Sequence, residues 1–363
     1  MYSLVTSVLG LLLSIQAFAT TIPNELGEPK AGGLPRESSS EYEILYGSVR
    51  VGSDIQRVIV TKPLTSSPSA AMLLVGGIGC YSLDFSGTGP KVVAYERIIQ
   101  FVSRMGFVTM RVEKTGMGDS VGTRCEDQDF KREVTGYLAG LKALQSYPFV
   151  KKDSISIFGH SIGGVIAPFL AAKVPVKSVG VIGSLATDWY TYDIANIRRQ
   201  MILSGASGLQ LEYYLAKKQL AALEFYKNKK SPEQIMQEHP EVTDALREEW
   251  ESAGVSPAYM QQLGDVNPAQ DWLRSRVPVT VFVGTADFIG SQVDELSVMV
   301  TGVNKTRSTP LTLRKVEGMD HFFRAAGSQA ESFSSQRRDG LPLLFQDSFL
   351  QILKDEFLLS DKK

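Results

Sequence analysis

Cysteine and histidine are scarce in this chain, charge is nearly balanced, and no apolar run reaches the length of a membrane span. Each shortage closes off a class of function. Two cysteines with no histidine near them form no recognisable zinc spacing. A formal charge of −1, with no basic stripe, gives no footing for nucleic acid. Lys227-Asn228-Lys229-Lys230 is a short basic run that reads as a solvated helix end. No G-x-x-x-x-G-K-[ST] occurs. Gly116-Met117-Gly118-Asp119-Ser120-Val121-Gly122 has its third glycine one place late for G-x-G-x-x-G and leads into no helix, so no nucleotide cofactor is expected. The uncharged run at residues 4–18 falls short of the roughly 20 residues a membrane span requires. No stable membrane anchor is expected, nor any metal. The three histidines, at 160, 239 and 321, leave few choices for a catalytic base.

Against these absences stands Gly159-His160-Ser161-Ile162-Gly163. Upstream, residues 154–158 alternate polar and apolar side chains as a strand does; downstream, residues 163–172 read as a buried helix. A serine in G-x-S-x-G between strand and helix is the nucleophile elbow, whose sharp turn lifts the hydroxyl out of the sheet and frees the next amide, that of Ile162. A base is then required. His160 adjoins Ser161 and reads as a packed elbow residue, and His239 lies in a polar, proline-broken segment. His321, on a short loop after the strand-like residues 311–316, is the expected base. The orienting acid is expected at Asp287, on the loop that ends the apolar run 277–283. Asp320 is a weaker rival because adjacent side chains diverge, and Asp294 and Glu295 look like solvent-facing helix residues. Gly76-Gly77-Ile78-Gly79, after the buried-strand run 70–75, would give a second oxyanion donor. The Ile78 amide is expected, with Gly77 and Gly79 as alternatives.

With these residues in place the chain resembles the α/β-hydrolase superfamily, in its secreted serine esterase and peptidase branch. The glycine loop at 76–79 is similar to the family's HGxG loop, residues 107–120 to its fourth strand and following turn, residues 277–287 to its acid-bearing strand, and residues 318–322 to its histidine loop. The resemblance covers about residues 40–190 and 275–355. It implies an α/β fold, a mostly parallel sheet flanked by helices, with triad members in the order Ser161, Asp287, His321. Gly76 stands where histidine is common and Glu113 where aspartate is common. In this fold the loops bearing Cys80 and Cys125 end at one rim of the sheet, so a disulfide is expected between them, two free thiols being the alternative.

The expected organisation follows. Residues 1–19, ending in Ala17-Phe18-Ala19, read as a cleavable signal peptide, and residues 20–40 as a flexible leader. Residues 41–187 and 277–363 form the catalytic domain, and residues 188–276 a helical lid whose aromatics, Trp189, Tyr190, Tyr192, Tyr213, Tyr214 and Phe225, suit an acyl pocket or a lid core equally. Helices are expected at 197–203, 209–227, 232–238 and 242–252 of that insertion. The expected function is that of a secreted or periplasmic serine hydrolase that cleaves a small carboxylic ester through an acyl-enzyme, with no cofactor. A peptidase or amidase acting on short peptides would use the same machinery. The rival from another class is a non-catalytic binding protein on this scaffold.

Overall fold

The computed structural model describes residues 21–28, 36–86, 93–336, 340 and 342–359. The signal peptide expected at 1–19 lies outside the described residues. In chain order the elements are β1 (Tyr42–Val51), β2 (Asp54–Pro63), β3 (Ser69–Val75), α1 (Val93–Arg104), β4 (Val108–Val112), α2 (Phe130–Ser146), β5 (Val150–His160), α3 (Ile162–Lys173) and β6 (Ser178–Ile182). A helical segment follows: α4 (Trp189–Leu203), α5 (Gly208–Ala222), α6 (Pro232–Glu238), α7 (Thr243–Glu251), α8 (Pro257–Leu263) and α9 (Pro268–Arg274). The chain then completes the sheet with β7 (Val279–Gly284), α10 (Val293–Asn304), β8 (Leu311–Val316), α11 (Gln329–Ser335) and α12 (Ser348–Leu353).

Alternation of apolar residues on two faces builds the sheet. In β3, Ala71, Leu73 and Val75 belong to one buried cluster and Met72 and Leu74 to another. A strand apolar on both faces must be covered on both, as parallel sheets with crossover helices are. Leu141 of α2 and Val165 of α3 join the first cluster; Ile98 of α1 and Phe349 of α12 join the second. The eight strands run in the order β1-β2-β4-β3-β5-β6-β7-β8. β1 pairs antiparallel with β2, and β2 with β4, while the pairs from β4 through β8 are parallel. Crossing from β4 to β3 to β5 reverses the direction of strand order, and loops that leave the carboxyl ends near such a point form a crevice.

Within residues 20–40, expected as a flexible leader, Ile22, Pro23 and Glu37 are held to the sheet. Ile22 is buried in the first cluster, and the Ser48 amide donates to the Pro23 carbonyl at 2.8 Å. Glu37 takes a two-pronged pair from Arg111 at 2.8 and 2.9 Å. A buried guanidinium on β4 needs a carboxylate, and this segment carries it.

Candidate active site

The turn between β5 and α3 holds Ser161 at φ 56° and ψ −121°, a backbone conformation that non-glycine residues rarely adopt. Its amide is fixed by the Ile182 carbonyl at 2.8 Å. Serine at a helix N-cap usually bonds its hydroxyl to the first turn, but Ser161 makes no such bond. The hydroxyl is left for the cavity that Ser161 lines. Gly163 permits the turn: a Cβ there would sit 2.1 Å from the Val75 carbonyl oxygen. Ile162 opens α3, and the first amides of a helix have no partner within it.

His321 lies on the loop after β8. Its Nδ1 is 2.9 Å from Asp287 Oδ2, with both side chains buried. The other Asp287 oxygen accepts the amides of Ile289 and Gly290 at 2.7 and 2.8 Å. Burial alone would raise the Asp287 carboxyl. The His321 partnership and those two amides outweigh it and hold the group below the ordinary carboxylate range. Gly183 lets the imidazole approach, since at φ 61° a Cβ would lie 2.8 Å from the ring. Asp320 turns elsewhere: its carboxylate accepts Arg324 Nε at 2.8 Å and the Ser332 hydroxyl at 2.9 Å. His239 ends α6 beside Glu241. Asp294 and Glu295 open α10, where Glu295 completes a capping box.

His160 is more than packing. Its Nε2 lies 2.8 Å from the His321 carbonyl and its Nδ1 2.5 Å from the Tyr95 hydroxyl, whose oxygen in turn accepts the Gly77 amide at 2.9 Å. A carbonyl only accepts, so Nε2 carries the proton, Nδ1 accepts from Tyr95, and the tautomer follows. Burial, with the neighbouring His321, pushes the His160 imidazole down to about 3, consistent with a permanently neutral ring. One hydrogen-bonded chain thus joins the glycine loop, the elbow and the histidine loop.

That chain also sorts the oxyanion candidates. The Gly77 amide is taken by Tyr95, while Ile78 lines the cavity together with Ser161, Ile162 and His321. Gly79 adopts φ 102° and presents its carbonyl to Lys114 at 2.8 Å. Cys80 and Cys125 form a disulfide with Cα atoms 5.8 Å apart, tying the glycine loop to the turn after β4. Glu113, at the position where the family commonly has aspartate, uses one oxygen to gather the Ser82 hydroxyl and the amides of Leu83 and Asp84 at 2.6 to 2.8 Å.

The cavity measures about 610 Å³, and Leu185, Trp189, Tyr192 and Phe288 are among the residues that line it with Ser161. Trp189 and Tyr192 belong to α4, so the helical segment between β6 and β7 forms part of the wall. Tyr213, by contrast, faces solvent and Phe225 lies in the helical core. The same cavity is lined by a charged group that the sequence did not reveal. Lys218 lies 2.8 Å from Glu249, 3.3 Å from Asp193 and 3.9 Å from Glu248. Burial raises the Glu249 and Asp193 carboxyls, whereas the surrounding carboxylates outweigh burial at Lys218 and raise it.

Sheet order, elbow and loop positions together define an α/β-hydrolase fold. It matches the acylaminoacyl peptidase of Pyrococcus horikoshii at TM-score 0.53 and 12% identity, over 89% of this chain and 43% of that one. It also matches Est1E from Butyrivibrio proteoclasticus, solved with ferulic acid bound, at TM-score 0.51 and 15% identity, over 85% of this chain and 99% of that one. In sequence, the family described as serine aminopeptidase, S33 (Hydrolase_4) matches residues 83–322, and the chain belongs to that family. A monoglyceride lipase of Rattus norvegicus is 30% identical over 97 residues, a match that spans 26% of this chain and 31% of the lipase.

Proposed function

We propose that this protein is an exported serine hydrolase that cleaves small carboxylic esters through an acyl-enzyme. The carrying observation is the placement of Ser161, on its strained turn, in one cavity with His321, whose far nitrogen is held by Asp287. In this reading Ser161 Oγ attacks the ester carbonyl while His321 Nε2 takes its proton. The imidazolium so formed is stabilised by Asp287, which stays ionised. The Ile78 and Ile162 amides bind the oxyanion, each worth about 3 kcal/mol in the transition state. His321 returns the proton to the leaving alcohol. A water, deprotonated by the same imidazole, then releases the acid and restores Ser161. Residues 188–276 act as a lid whose Trp189 and Tyr192 contact the acyl group. The apolar and aromatic residues that line the cavity, Leu185, Trp189 and Phe288 among them, and the partial likeness to a monoglyceride lipase support an ester. Export is supported by the apolar run ahead of Ala17-Phe18-Ala19 and by the disulfide, which suits an oxidising compartment.

A peptidase reading is favoured by one feature, the three carboxylates around Lys218 in the cavity wall, which suit a substrate amine. A panel of p-nitrophenyl esters graded by acyl length, run beside aminoacyl and dipeptidyl nitroanilides, separates the two. Ester kcat/KM is expected to exceed that of every nitroanilide by at least about a hundredfold, a gap of some 3 kcal/mol in transition-state stabilisation. The reverse order would transfer the assignment to the peptidase.

A further inference from the structure

Lys114 follows β4 and is buried to 3% exposure, yet its ammonium enters no step of the mechanism above. Its Nζ donates to the Gly77 carbonyl and to the Gly79 carbonyl, each at 2.8 Å, and lies 3.0 Å from the equally buried Glu133 carboxylate on α2. The Tyr81 hydroxyl donates to the same Gly77 carbonyl at 2.9 Å. The Gly77 carbonyl and the Ile78 amide belong to one peptide unit, and in a trans peptide the C=O and N–H point in opposite directions. Two donors on that oxygen therefore fix the direction of the Ile78 N–H. A cation on the oxygen also draws electron density through the amide resonance and strengthens the N–H as a donor. Lys114 grips the next carbonyl but one as well, so the Gly77–Ile78 and Gly79–Cys80 peptides are both clamped by the one ammonium.

We propose that Lys114 is a positioning residue for the oxyanion site: it orients and polarises the Gly77–Ile78 peptide so that the Ile78 amide donates to the developing oxyanion. The inference rests on the hydrolase reading and deepens it. A role limited to stability would act on folding alone, whereas this one acts on the transition state more than on the bound ester. Glu133 would be left as a buried unpaired charge by Lys114 replacement alone, so the pair is removed together.

The test compares wild-type protein with Lys114→Met/Glu133→Gln on p-nitrophenyl acetate, with reactive sites counted by exhaustive fluorophosphonate titration. Per site, kcat is expected to fall about 10- to 100-fold with KM within about 2-fold, since a weakened oxyanion donor is felt in the transition state. Affinity for a trifluoromethyl ketone, which mimics the tetrahedral adduct, should fall by a similar factor. Lys114→Gln/Glu133→Gln, which keeps a neutral donor, should lie between. Tyr81→Phe removes the other bond to the same oxygen without disturbing a charge. It should lower kcat about 3-fold or more at unchanged KM, which keeps the proposal open to refutation even if the paired variants do not fold. Wild-type kcat per site in the folded variants, or a loss confined to KM, would overturn the assignment to Lys114. A wild-type Ser161 that takes no fluorophosphonate would instead overturn the hydrolase reading, and this proposal with it.

Discussion

Glu113 illustrates how one residue couples stability to pH. Burial pushes its carboxyl up to about 7, against the hydrogen bonds from Ser82, Leu83 and Asp84 that favour ionisation. The folded state therefore holds a proton that the unfolded chain, with its ordinary carboxyl near 4.5, has released. The folded state binds more protons between those values, so the stabilisation is full below about pH 4.5 and is lost as pH rises through 7. Its size is on the order of 3 kcal/mol, the free energy that separates the two proton affinities. Urea unfolding at pH 5 and pH 8 should show wild-type protein losing about that much more stability than Glu113→Gln. Equal losses in the two proteins would remove Glu113 as the source. At this scale the sequence was legible where chemistry is local. Ser161, His321 and Asp287 each announce themselves through a strand and a characteristic loop beside it. Lys114 and Tyr95 did not, because their partners, Gly77 and His160, lie 37, 18 and 65 positions away and meet them only across loops.

At the scale of elements, the disulfide staples the glycine loop after β3 to the short turn of residues 125–127 that follows β4. A cross-link over a separation of 45 residues removes unfolded-state entropy worth roughly 4 kcal/mol. Reduction, or Cys80→Ser/Cys125→Ser, should lower the denaturant-unfolding free energy by about that amount and, under the proposed chemistry, slow turnover by loosening the loop that carries the Ile78 amide. Two free thiols found by mass spectrometry in protein from an oxidising compartment would contradict this. The helical segment is legible in part. α6 matches its expected span, and α7 lies within its own. α4 starts at Trp189, earlier than expected, because Asp188 caps it through the Thr191 amide. α8 and α9 were missed although each opens with a capping side chain and a first-turn proline, Ser256-Pro257 and Asn267-Pro268. Seven residues give a helical period too few repeats to show, and the cap is the only local signal.

For the whole molecule, a sheet apolar on both faces fixes the layers, and the layers fix which loops meet at the carboxyl ends of the strands. That much followed from the strand and helix alternation, together with the resemblance to hydrolases. The packing of Ile22 and Glu37 on the sheet did not, since Ile22 joins a core built from distant strands and Glu37 pairs with Arg111, 74 positions away. The proposed chemistry requires one nucleophilic oxygen, activated by one imidazole, in the fully assembled chain. The most direct measurement is the rate of fluorophosphonate labelling, with the adduct located by mass spectrometry. The expected result is a single adduct on Ser161, absent in Ser161→Ala and slowed by about three orders of magnitude or more in His321→Ala, with Ser161→Ala/His321→Ala no worse in turnover than Ser161→Ala alone. Labelling elsewhere, or undiminished labelling in His321→Ala, would contradict it.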